Sequence, residues 1–98
     1  MCNLSIVVTA IAETDMQGIF DYIAQDNISK AIELINVFEE KFKVLSMFPN
    51  SGYRKSKFLK RNVRELVVAK HYQIIYCVEN ENIFVLRVLT GYQDLFYN

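Results

Sequence analysis

The sequence predicts an α+β fold of order β-α-α-β-β-β, a helical hairpin packed on a mostly antiparallel sheet. Three observations carry this expectation. Apolar residues recur with helical spacing through the first half of the chain and with strand character through the second. The Pro- and Gly-containing punctuation falls at the switch, and a β-branched segment precedes the first helix. The 98 residues, 52% hydrophobic and 22% charged, suit one domain spanning 1–98 with a buried core, far from the composition of a disordered chain.

The opening Leu4-Ser5-Ile6-Val7-Val8 reads as a strand, and Thr9 can cap a helix directly after it. From Ala12, the residues Met16, Ile19, Phe20 and Ile23 share one helical face, predicting a helix over about 10–25. Glu13, Asp15 and Asp21 fall off that face and read as solvated acids. Either Asn27 or Ser29 can cap a second helix over about 29–48, in which Ala31, Ile35, Phe38, Phe42 and Leu45 are spaced 4, 3, 4 and 3 apart. Pro49-Asn50-Ser51-Gly52 stops it, because Pro disfavours helical backbone before it and Gly gives the chain freedom to turn. The segment from Tyr53 to Arg61 has neither period and is expected to be a basic loop. Val63–Val68, Tyr72–Val78 and Ile83–Leu89 read as strands, with Glu79-Asn80-Glu81-Asn82 as a short hairpin turn.

Eleven Lys and Arg balance eleven Asp and Glu, but they are not mixed along the chain. Residues 1–40 hold seven acids against Lys30, whereas residues 41–72 hold nine bases against Glu65. Such a polarised chain offers a basic region suited to phosphate or to an acidic protein. Within it, Arg54, Lys55, Lys57, Lys60, Arg61 and Arg64 stand close together with Tyr53 and Phe58 interleaved, a pattern that can hold phosphates and stack bases. The same run also fits a solvated surface loop.

A second group, Arg64, His71, Tyr72, Tyr76 and Arg87, could meet on an exposed sheet face. Arginine stabilises charge on a phosphate undergoing displacement, and Tyr or His can move a proton. The alternative is that the tyrosines simply pack. One His and two Cys that are 75 positions apart make no metal-ligand pattern, and three glycines form no phosphate-cradling loop, so neither metal nor cofactor is expected. Cys77 reads as a small buried hydrophobe. Two cysteines without CxxC spacing, no apolar run of membrane-spanning length and no leader-like N-terminus predict a reducing cytoplasm and no membrane partner.

Five segments resemble the RelE/ParE superfamily of type II toxin–antitoxin toxins, over almost the whole chain. They are Thr9-Ala10-Ile11-Ala12; Ile19-Phe20-Asp21-Tyr22-Ile23; Leu45-Ser46-Met47-Phe48-Pro49-Asn50-Ser51-Gly52; Val63-Arg64-Glu65-Leu66-Val67; and Tyr72-Gln73-Ile74-Ile75-Tyr76 through Ile83–Val88. The long helical hairpin and its Pro-x-x-Gly stop resemble the ParE branch. The resemblance implies a cognate antitoxin that holds the domain inactive in a hetero-oligomer; the apolar stripe of the second helix could also serve a homodimer.

Two activities are known in the superfamily. Its ribosome-dependent ribonucleases place basic residues at positions that correspond here to Arg64, Leu66, Gln73 and Gln93, of which only the first is basic. Each missing donor would forfeit about 2.7–4 kcal/mol of transition-state stabilisation. The ParE branch instead poisons DNA gyrase by binding; on that reading the charged residues Lys57, Lys60, Arg61, Arg64 and Arg87, with Tyr92 near the chain end, are the expected target contacts. ParE-like chains often end the last strand with His-Gly and then Arg-Asp, where this one has Thr90-Gly91-Tyr92-Gln93-Asp94. The alternatives are an mRNA interferase acting at the ribosome through Arg61, Arg64, His71, Arg87 and Tyr92, and a degenerate toxin that only binds antitoxin.

Overall fold

A computed structural model of the chain describes residues 4–54 and 63–90. A first strand β1 (Ser5–Val8) leads into helix α1 (Ala10–Ala24), a turn, and helix α2 (Ile28–Met47). A two-residue strand β2 (Tyr53–Arg54) and three longer strands come next, β3 (Val63–Val68), β4 (Tyr72–Glu79) and β5 (Asn82–Thr90). The sheet order is β1-β5-β4-β3-β2, with β1 parallel to β5 and every other pair antiparallel. The α+β class and the order of helices and long strands match the sequence expectation. The departure is β2, which occupies the start of the expected loop and lies beside β3 through Tyr53 opposite Glu65 and Arg54 opposite Arg64.

Each helix begins where a side chain satisfies an otherwise unpaired backbone N–H. Thr9 Oγ1 accepts from Ala12 N at 3.2 Å, and Asn27 Oδ1 accepts from Lys30 N at 3.1 Å, which decides between the two candidate caps of α2 in favour of Asn27. α2 stops at Met47, ahead of Pro49, and Ser51 N turns back to Phe48 O at 3.0 Å.

Ala12 of α1 and Phe38, Phe42 and Leu45 of α2 pack onto Val68, Ile74, Tyr76, Ile83, Val85 and Val88 of the sheet, all buried. These residues join the helical stripe to one face of the strands. The C-terminal end of α2 is tied to the start of β1 by Ser46 Oγ donating to Leu4 O at 2.6 Å and Leu4 N donating to Ser46 O at 3.1 Å. β1 covers the outer edge of β5 only as far as Val8 opposite Val85, so the last five residues of β5 run beyond it. A register shift between Ile75 and Tyr76 of β4 accommodates one extra β5 residue at that same point.

Candidate functional site: the basic edge of the sheet

The site is built around the turn at the end of α2. Residues directly opposite on neighbouring strands share a face, so the pairing of Arg64 with Tyr76 puts both on the side that carries the helices. Tyr76 is fully buried, and its hydroxyl donates to Pro49 O at 2.8 Å while accepting from Gly52 N at 2.9 Å. Burial pushes the Tyr76 phenol above its ordinary range, partly opposed by the Gly52 N–H and by the charge of Arg64. Gly52 is needed for this approach, since a Cβ there would stand 2.6 Å from Glu65 O and 2.9 Å from the Tyr76 hydroxyl.

Arg64 closes the same turn. Its Nη1 donates to Gly52 O at 2.8 Å and lies 3.4 Å from Asn50 O. Its Nε is shielded from water and meets no acceptor. Directly opposite stands Arg54, exposed. Among the described residues neither arginine has a carboxylate within ion-pairing distance.

Arg87 is placed differently. Its Nε and Nη2 donate to the Asp15 carboxylate at 2.7 and 3.0 Å, a two-pronged pair, and Val88 N donates to the same carboxylate at 3.0 Å. Asp15 therefore satisfies one backbone N–H on the stretch of β5 that β1 leaves open. This corrects the expectation of a solvated acid on α1: the Asp15 side chain is only 16% exposed. The hydrogen bond to Asp15 is the main cause that raises Arg87 above even its ordinary range.

The expected convergence of Arg64, His71, Tyr72, Tyr76 and Arg87 on one exposed face is not what the fold makes. Tyr76 is buried in the core, and Tyr72 sets its ring edge-on to Phe38, with centroids 5.7 Å apart. His71 lies exposed in the β3–β4 turn, its ring edge-on to Tyr72 at 6.5 Å. Arg87 pairs across β4 with Ile75, on the alternate face from Tyr76 and Arg64, and is engaged by Asp15. The physical reason is the period of two along β4, which sends neighbouring rows to opposite faces. Lys57, Lys60, Arg61 and Tyr92 lie outside the described residues.

Sequence reasoning missed the roles of Asp15, Gly52 and Tyr76, and it grouped Arg54 with a loop. The Asp15–Arg87 contact spans 72 positions and leaves no local signal. Pro49 and Gly52 were visible as a helix stop, although the second function of Gly52, making room for Glu65 and Tyr76, depends on strands that come later.

A helical hairpin lies on one face of a mostly antiparallel sheet, with a parallel β1–β5 pair at one edge, a ParE-like fold. A family model described as the ParE toxin of the type II toxin–antitoxin system parDE matches residues 6–95, and the chain belongs to this family. Among solved structures it is similar to a chain of the chromosomal ParDE toxin–antitoxin system from P. aeruginosa. The TM-score is 0.73 at 24% identity, over 89% of this chain and 95% of that one. No curated protein matches. Among the described residues, no helix is long and apolar enough to cross a membrane.

Proposed function

We propose that this ParE-family toxin acts in the cytoplasm by binding DNA gyrase, and that a cognate antitoxin holds it inactive until needed. The observation that carries the reading is the family match over residues 6–95. The P. aeruginosa relative comes from a ParDE toxin–antitoxin system, and the antitoxin partner is carried over from that likeness. An antitoxin segment that is acidic and apolar would complement the basic 41–72 region and fold as it binds.

The geometry of the arginines favours binding over phosphodiester cleavage. The interferase reading needs Arg64 and Arg87 to converge on one phosphate beside a group that moves a proton, whereas Arg87 is held by Asp15 and Arg64 faces the Asn50 and Gly52 carbonyls from the other side of β4. Positions 66 and 73, where the ribonuclease branch is basic, are Leu and Gln, and the Gln73 amide is hydrogen-bonded to Glu65.

The test is addition of the purified chain to gyrase, plasmid and ATP. The expected result is dose-dependent accumulation of cleaved plasmid, abolished by the cognate antitoxin. In cells, thymidine incorporation is expected to stop before methionine incorporation. Arrest of methionine incorporation first, with cleaved mRNA, would replace this reading by the interferase; antitoxin binding without any arrest would identify a degenerate toxin.

A further inference from the structure

From the pairing of β2 with β3, we infer that Arg54 and Arg64 form a two-arginine clamp for a backbone phosphate of nucleic acid. Their register places both guanidinium stems on one face of the sheet edge, directly opposite each other. Like charges in that position repel, and a protein that keeps them without a counter-charge leaves room for an anion. Among the described residues none supplies that counter-charge.

Arg64 is held ready for this role. Its Nη1 is fixed by Gly52 O, and that turn is itself fixed by the Tyr76 hydroxyl, so the guanidinium is oriented before any ligand arrives. Two neutral carbonyls on one nitrogen and a shielded Nε without an acceptor leave its charge largely uncompensated. Arg87 gives the contrast within the same chain: one carboxylate meets it two-pronged and completes its pairing.

Phosphate fits better than a protein carboxylate because of charge density. A single arginine suffices for a carboxylate, as Arg87 with Asp15 demonstrates. Two arginines at directly opposed positions, in a 41–72 region that holds nine bases and one acid, match a polymer of closely spaced anions. The clamp goes beyond the gyrase reading and does not depend on it, since it concerns nucleic acid bound directly by this chain.

The experiment is fluorescence anisotropy of the full chain with a short DNA duplex, a short single-stranded RNA and polyglutamate, each across a salt series. Arg54→Gln is the informative variant, because Arg54 is exposed and its side chain makes no hydrogen bond among the described residues. It is expected to weaken nucleic-acid binding about three- to tenfold and to reduce the slope of log affinity against log salt by about one. Lys43→Gln, at an exposed cation of α2 beside Glu40, is expected to leave both unchanged. The duplex and RNA arms tell which nucleic acid supplies the phosphate. In the wild-type chain the Nε–H resonances of Arg54 and Arg64 are expected to move together with the same midpoint. The clamp is overturned by unchanged binding in Arg54→Gln, by equal loss in Lys43→Gln, by absence of nucleic-acid binding in the wild type, or by an Arg54→Gln effect confined to polyglutamate. Gyrase inhibition is read in a separate assay, so either idea can fail while the other stands.

Discussion

The Tyr76 hydroxyl is the point where helix, turn and sheet are held together. It donates to Pro49 O and accepts from Gly52 N inside the core. Replacing Tyr76 by Phe keeps the ring and removes both bonds, leaving a buried N–H and a carbonyl unmet, a cost of about 1–3 kcal/mol in a urea melt. Gly52→Ala is expected to destabilise by a similar or larger amount, since its Cβ would meet backbone at Glu65 that cannot swing aside. The Tyr76 phenol also gives the fold an alkaline limit. Its folded pKa is raised above the unfolded value of about 10 by burial. Its contribution is therefore complete below pH of about 10 and is lost as pH rises through the folded value. The stability gap between the wild type and Tyr76→Phe should be constant near neutrality and close above pH of about 10. A gap that persists unchanged there would remove Tyr76 as the titrating group.

At the scale of elements, α1 is fastened to β5 at two points, where β1 stops and three residues farther on. Thr9 Oγ1 donates to Val85 O at 2.8 Å while capping the helix, and one turn and a half later Asp15 receives Arg87 and Val88. Asp15→Ala is expected to cost about 1–2 kcal/mol, discounted because the Arg87 side chain is about half exposed. Its amide-exchange signature should be faster exchange at Val88 N–H, with the β3–β4 hairpin unaffected. That hairpin turns through Ala69 and Lys70, both with positive φ, 52° and 67°. An L-residue there is strained, so Lys70→Gly should raise the urea midpoint, by about 0.5–1 kcal/mol of stability. These features mark what was legible in the sequence. Helices and long strands were readable to within a residue or two at their ends, because Phe38, Phe42 and Leu45 in α2 and the Val, Ile and Tyr runs of β3 to β5 carry strong periods. Strand β2 was not, since two residues carry no period. Of the site, the basic run and Arg64 were visible, but the separation of Arg64 from Arg87 comes from alternation along β4, and the burial of Asp15 from a partner far along the chain.

For the molecule as a whole, a net charge of zero is a poor guide to what a partner meets. The structure extends over 40 × 33 × 23 Å, while charges in about 0.1 M salt are screened beyond about 10 Å. A partner that meets the β2–β3 edge, where Arg54 stands opposite Arg64, is therefore shielded from any acid lying farther off than that distance. An approaching polyanion responds to the local field of the basic edge rather than to the cancelled total, whereas a purely global view predicts indifference near the sequence pI of 6.6. The two views differ in a simple measurement. At pH 7 and low salt the chain should be retained on immobilised heparin and released as salt rises, although its net charge there is zero. Flow-through at low salt would mean that the acids of the chain cancel the basic edge at the distance where a polyanion binds, and the edge would lose its standing as a docking surface. Retention gains its meaning from two variants. Arg54→Gln should elute earlier than the wild type, while Lys43→Gln, which removes the same unit of charge from the exposed surface of α2, should shift elution far less. Unequal shifts from equal charge changes would locate the attraction at the β2–β3 edge, where the register sets two arginines side by side.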